Sequence, residues 1–174
     1  MKKLIVIVFL LLSHSFVFSQ NSENIIFLGK INKLREQLKL NQLKYNEGLL
    51  LVGQEWGKFI LKELSSLDDS DIEVKHIMNP EFLHIKFDNR YKRYISKNKL
   101  KSTFVMGENI ILSTEVGSSS KLKGEYYIND DFKVWVKSPS HYKNMVLSGY
   151  NYMAYTNVYD SKNKRLLTIL IMSE

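Results

Sequence analysis

Two short blocks place polar, chemically capable groups inside otherwise apolar sequence. Met106-Gly-Glu-Asn-Ile110 holds an acid, Glu108, among strand-forming residues, and Trp135-Val-Lys-Ser-Pro-Ser-His-Tyr-Lys-Asn-Met145 holds a histidine, His141, behind a Ser-Pro step. Carboxylates and imidazoles are the groups that move protons in general acid–base work and that hold divalent cations. Two neutral imidazoles and one carboxylate suffice for an open zinc site, in which three protein ligands leave the fourth position to water. Without a metal, the same groups make a hydrogen-bonded network, with Glu108 bridging two rings and the Asn109 or Ser138 neighbourhood. Taken singly, the residues have plainer meanings. His84, flanked by Phe82, Leu83 and Ile85, reads as a core histidine. Gly107-Glu-Asn109 reads as a bulge or turn, and Ser138 as a helix cap rather than a nucleophile, since no Gly-x-Ser-x-Gly elbow surrounds it.

The elements that must position these groups fall into two regimes. From Ile25 to Leu40 apolar residues recur at Ile31, Leu34 and Leu38, the spacing of one helix face. Leu49 to Leu64 repeats it through Leu50, Trp56, Phe59, Ile60 and Leu64, with Gly53 and Gly57 four apart, where another element can approach closely. Leu67-Asp-Asp-Ser-Asp71 reads as a polar break, Pro80 starts a new unit near Glu81, and a third helical stretch fits Asp88 to Asn98. Thereafter the period changes. Phe104 to Leu112 is strand-like, Gly117 to Ser120 a loop, Tyr126 to Trp135 a helix, and Pro139 to Val146 a short helix capped by Ser138. Tyr150 to Tyr159 and the apolar run Leu166 to Met172 form a hairpin across Asp160 to Lys164. Early helices followed by strands and a closing antiparallel pair point to an α+β fold rather than alternating βαβ units.

The N-terminus reads as a secretory signal over residues 1–19: Lys2 and Lys3 precede the apolar run Leu4 to Leu12, and Val17-Phe-Ser19 offers a cleavage site before Gln20. The run is short for a membrane span, so no span is expected after cleavage. Residues 20–174 fit one domain large enough to bury its own core. The chain has no cysteine, which excludes disulfides and a lipidated cysteine. A net charge of +7 falls to +5 once Lys2 and Lys3 are removed, and the remaining lysines are scattered, without a nucleic-acid motif. Nucleic acid is therefore not an expected partner.

With Asn32-Lys-Leu-Arg35 upstream and His84 between, the two blocks resemble the bacterial branch of the CAP superfamily (SCP-like domains; cysteine-rich secretory, antigen 5 and pathogenesis-related 1 proteins), whose members carry Gly-Glu-Asn-Ile and Trp-x-x-Ser-Pro-x-His blocks. The resemblance implies a three-layer α-β-α sandwich around a small, mainly antiparallel sheet. It also implies a shared cleft in which Glu108 and His141 match the family's acid and second histidine. The first histidine is then His84, 24 residues before Glu108, in preference to His76. Trp135 and Tyr142 would brace the cleft wall or touch a ligand. Members that bind a divalent cation such as zinc imply His84, Glu108 and His141 as ligands here. Ser138 stands where many eukaryotic members have a second glutamate, and Ile85-Lys-Phe-Asp-Asn-Arg90 replaces the family's Gly/Ser-rich loop.

The resemblance implies an exported protein, secreted, extracellular or periplasmic, acting as a binding module for a small apolar, glycan or peptide ligand. A metal-dependent hydrolase of extracellular or cell-envelope polymers is the alternative. It would set His84 and His141 on the metal and Glu108 as third ligand or general base, and one carboxylate cannot be both.

Overall fold

The computed structural model describes residues 22–79, 82–84, 87–98, 106–114 and 125–174. The expected leader over residues 1–19, Pro80, Phe104 and the Gly117 to Ser120 loop lie outside these residues. Among the described residues, four strands, β1 (Lys44–Tyr45), β2 (Met106–Ser113), β3 (Tyr152–Asp160) and β4 (Arg165–Ser173), form one sheet in the order β1-β3-β4-β2. β4 pairs antiparallel with both β2 and β3, and only the two-residue β1 runs parallel to its neighbour. All nine residues of β4 are buried. Its apolar run, interrupted by Thr168 alone between Leu166 and Met172, reflects a central strand covered on both faces, where alternation has no solvent side to follow.

One face of the sheet is covered by α2 (Glu47–Leu64), α3 (Asp69–Met78) and a 3-10 turn (Phe82–His84). Their Leu49, Trp56, Ile60, Ile72 and Leu83 pack with Ile110 and with Leu167, Ile169 and Ile171 of β4. Against the other face lie α1 (residues 22–37), α5 (Glu125–Lys137) and α6 (Pro139–Met145). There Phe27, Ile31, Trp135 and Met145 meet Tyr155, Leu170 and Met172. The expected α-β-α sandwich is what the chain builds, with α4 (Phe87–Asn98) packed outside α2.

Local chemistry sets the boundaries. Asn46 caps α2 by accepting the Leu49 N–H at 3.1 Å. Gly53 and Gly57 bring α2 onto β3: an added Cβ would stand 2.8 Å from Thr156 Cγ2 and 2.5 Å from Val158 Cγ2, respectively. Asp160 closes the hairpin turn by accepting the N–H groups of Lys162 and Asn163, at 3.0 and 3.3 Å.

Three expectations are corrected. The Leu67 to Asp71 run is a helix start: Asp68 accepts the Asp71 N–H at 2.8 Å, and Asp69 and Asp71 lie in the first turn of α3, where the helix dipole favours negative charge. α1 ends at residue 37, Lys39 takes a left-handed φ of 59°, and Leu38 is left exposed beyond the helix. Gly107 is neither bulge nor turn; it pairs in register with Met172, and the Tyr150 ring fills the space a side chain would need.

Two buried arginines tie segments together through carbonyls. Arg35, fully buried, donates from Nε to Asn41 O (2.8 Å), from Nη1 to Met145 O and Leu147 O (both 3.0 Å), and from Nη2 to Tyr150 O (3.3 Å). One turn earlier Asn32 exchanges two hydrogen bonds with the Leu43 backbone, at 3.0 and 2.7 Å. Arg165 does the same at the end of α2, donating to Leu64 O and Leu67 O, both at 2.6 Å, and to Asp69 Oδ1 at 2.9 Å.

Candidate functional site

Glu108 occupies the third position of β2, opposite Ile171, and only 2 % of its side chain is exposed. A carboxylate so placed requires a partner. The 3-10 turn supplies His84, whose Nδ1 lies 2.9 Å from Oε2. Because a carboxylate only accepts, Nδ1 carries the proton. α4 supplies Arg90, which grips the carboxylate as a fork: Nη1 to Oε1 at 2.6 Å and Nη2 to Oε2 at 3.0 Å. The guanidinium carbon lies 3.4 Å from the centroid of the Trp56 ring, and that ring stacks on Phe59 at 5.1 Å. Acid, histidine, arginine and two aromatics therefore form one assembly from β2, the 3-10 turn, α4 and α2.

His141 stands in different company. Its Nδ1 lies 2.8 Å from Ser138 Oγ. Ser138 has the extended backbone of a cap, but its hydroxyl serves the histidine and makes no side-chain cap bond. Strand alternation explains the separation. Glu108 shares its face of β2 with Ile110, on the α2 side, whereas Asn109 points toward α6. Asn109, fully buried, donates to His141 O at 3.0 Å and accepts from Asn144 Nδ2 at 3.0 Å, and Asn144 also donates to Glu108 O at 3.3 Å. The two sequence blocks are thus joined through amides and main-chain carbonyls, with the Glu108 side chain directed to the opposite face. Trp135 is fully buried, edge-on to Phe27 and Tyr155 at 5.6 and 6.3 Å. Tyr142 is half-buried on α6. The side chain of His76 is not among those described.

At Glu108 the donor set does not fit a divalent ion, because the Arg90 cation already engages both oxygens and like charges at that distance repel. Among the described residues, no three His, Cys, Asp or Glu side chains are grouped to hold a metal. Arg90 is the site residue that motif matching passes over. In sequence it is one of several cations in a basic helix; burial alone distinguishes it, with 11 % of its side chain exposed.

A second polar assembly lies on the α1–α5 side. Tyr155 donates to Asp131 at 2.6 Å, Asn157 Nδ2 lies 3.3 Å from both Glu23 and the Tyr155 oxygen, and Thr168 donates to Asn157 at 2.7 Å. Burial pushes the Asp131 carboxyl up to about 6, against the hydrogen bond from Tyr155, which favours the charged form. Burial, and then the neighbouring Asp131, hold the Tyr155 phenol well above its ordinary value.

The sandwich with its terminal hairpin matches solved structures along most of its length. An extracellular protein containing an SCP domain from Bacillus anthracis superposes with a TM-score of 0.51 at 18% identity, over 87% of this chain and 41% of that one. The chain has the SCP fold. An outer surface protein from Borrelia burgdorferi is similar over nearly its whole length, with a TM-score of 0.53, 18% identity, and coverage of 86% of this chain and 90% of that one. A cysteine-rich secretory protein from Staphylococcus aureus gives a TM-score of 0.49 at 15% identity, over 89% of this chain and 39% of that one. The chain thus spans about two fifths of the Bacillus and Staphylococcus chains. No family model and no curated protein matches the sequence. Among the described residues, no helix of this SCP fold is long and apolar enough to cross a membrane.

Proposed function

We propose that this is an exported SCP-fold protein that binds a ligand or partner and does not cleave one. The bidentate Arg90–Glu108 pair carries the proposal. A general base must reach a water that is itself in reach of a substrate. Glu108 has 2 % of its side chain exposed and spends both oxygens on Arg90, with His84 on one of them. The assembly works as a brace that fixes α4 and the 3-10 turn against the sheet. Export is supported by the Lys2-Lys3 and Leu4 to Leu12 pattern. The fold neighbours are an outer surface protein and an extracellular one.

Assays of the purified protein on peptidoglycan, polysaccharide and ester substrates, beside Glu108→Gln, test this function. No Glu108-dependent turnover is expected; hydrolysis lost in Glu108→Gln would overturn it. A divalent cation at His84, Glu108 and His141 is tested by calorimetric zinc titration beside Arg90→Ala and His141→Ala. Weak or absent zinc heat in the parent and a gain in Arg90→Ala are expected, since removing the guanidinium uncovers the carboxylate. Zinc binding in the parent that His141→Ala abolishes would place the ion across both histidines after all.

A further inference from the structure

Between α2 and α4 lies a cleft of about 430 Å³, a volume ordinary for a small-molecule site. Its two walls differ in kind. Leu51, Val52 and Phe59, one helical face of α2, form an apolar wall, and Leu51 is 46% exposed, which is costly for a leucine left uncovered. The α4 wall presents Arg90, Arg93 and Lys97, spaced three and four residues apart and so on one face. Arg90 is balanced by Glu108. Arg93 and Lys97 are exposed, and among the described residues neither is paired with a carboxylate. Glu55 is the acid lining the cleft, so these three groups leave one positive charge (two cations less one anion).

We propose that the α2–α4 cleft binds a small organic anion with an apolar body, the body lying on Leu51, Val52 and Phe59 and the anionic group meeting Arg93 and Lys97. Neither wall suffices alone. Two exposed cations in water attract weakly and are screened by salt, so apolar burial supplies most of the affinity. The charge supplies the choice, turning away cations and favouring a carboxylate, phosphate or sulfate over a neutral head. The aliphatic stems of Arg93 and Lys97 extend the apolar surface toward the same end. The Glu108 brace holds α4 at this distance from α2 through Arg90, which makes the ion pair a support for the cleft and no part of its ligand set. This inference rests on the binding-module function and names its ligand class.

Amide chemical shifts of the isotope-labelled protein, titrated with naphthalene-2-carboxylate, 2-naphthyl phosphate, 2-naphthylmethanol and 2-naphthylmethylammonium, test it. The two anions are expected to move signals of residues 48–59 and 89–97 and to bind about tenfold more tightly than the alcohol, with the ammonium weakest. Carboxylate against phosphate tells which head group the site prefers. The exposed double variant Arg93→Gln/Lys97→Gln should lose the tenfold while keeping the affinity for the alcohol, and Leu51→Ser should weaken anion and alcohol alike. Equal binding of alcohol, ammonium and carboxylate would overturn the proposal, as would shifts confined to other elements. Inorganic phosphate binding as well as the naphthyl anions would overturn it by reducing the cleft to a simple anion site. An acidic peptide binding where none of the small anions do would overturn it in favour of a protein-docking groove. None of these outcomes alters the Glu108→Gln hydrolysis test, so the inference and the function on which it rests can fail separately.

Discussion

At the scale of single residues, a carboxylate buried in a sheet needs a cation nearby, and Arg90 provides it. Arg90→Met should leave Glu108 buried without its fork and cost about 3–5 kcal/mol in urea unfolding, while Arg90→Met/Glu108→Leu should recover much of the loss because no orphaned charge remains. Two single losses that simply add in the double variant would show that the pair is not coupled. Asp131 sets a different dependence. Its carboxyl is raised from 3.8 in the unfolded chain to about 6 in the fold, so the unfolded chain releases this proton first. Stability from this group is therefore fullest below pH 4 and declines as pH rises from about 4 to 6, by a total on the order of 2–3 kcal/mol, with no further change above. Asp131→Asn should flatten that segment of a pH–melting profile; an unchanged slope would place the titration elsewhere. His84 beside Glu108 was implied by the resemblance and not by the residues taken singly, and the structure joins the two at 2.9 Å. The direction of His141 was not legible, because adjacent residues of a strand face opposite ways and a motif does not say whether Glu108 or Asn109 looks toward α6. Arg90 was illegible for a related reason: among Arg90, Lys92, Arg93 and Lys97, nothing in the sequence says which cation turns inward.

Among the elements, α2, α4, α6 and the hairpin lie close to their expected bounds, whereas α1 stops short of Leu38 and α3 was read as a break. α2 and the terminal hairpin follow their patterns closely, with α2 running Glu47–Leu64. α3 is weakly amphipathic and opens on acids, so the capping Asp68 looked like a break; a cap and a loop share the same residue types until the helix after them is seen. The glycine pair of α2 carries a sharper expectation. Gly57→Ala gains about 1 kcal/mol of helix propensity, but its methyl would meet Val158 of β3, whose Cβ is branched and stiff. Overpacking should win, with a net loss of about 1–2 kcal/mol read as a lower melting temperature, whereas Gly29→Ala, with open space around it, should be neutral or stabilising. Equal melting of the two variants would show that α2 can move off the sheet at little cost.

For the whole molecule, long-range polar ties join segments far apart in sequence, and Arg35 alone makes four bonds to carbonyls. It binds carbonyls at 41, 145, 147 and 150, which places α1, the approach to β1 and the end of α6 on one guanidinium. A lysine has a single ammonium in place of the planar fork. Arg35→Lys should therefore lose about 3 kcal/mol or more by leaving buried carbonyls unpaired, seen as faster amide exchange in α1 and α6 together; a loss confined to α1 would mean that the two segments do not depend on each other. With no cysteine, these ties and the two apolar layers hold the fold together.

The position of β4 has a consequence for how such a molecule comes into being. It is last of the four strands in sequence and yet lies second from the edge in space, pairing residue 173 with 106 on one side and 152 on the other. Contacts so distant along the chain close slowly. Until residues 165–173 arrive, β2 and β3 have nothing between them, and the core residues on both faces lack Leu167, Ile169 and Ile171 on one side and Leu170 and Met172 on the other. The sheet is therefore completed only when residues 165–173 take their place between β2 and β3, as a keystone closes an arch.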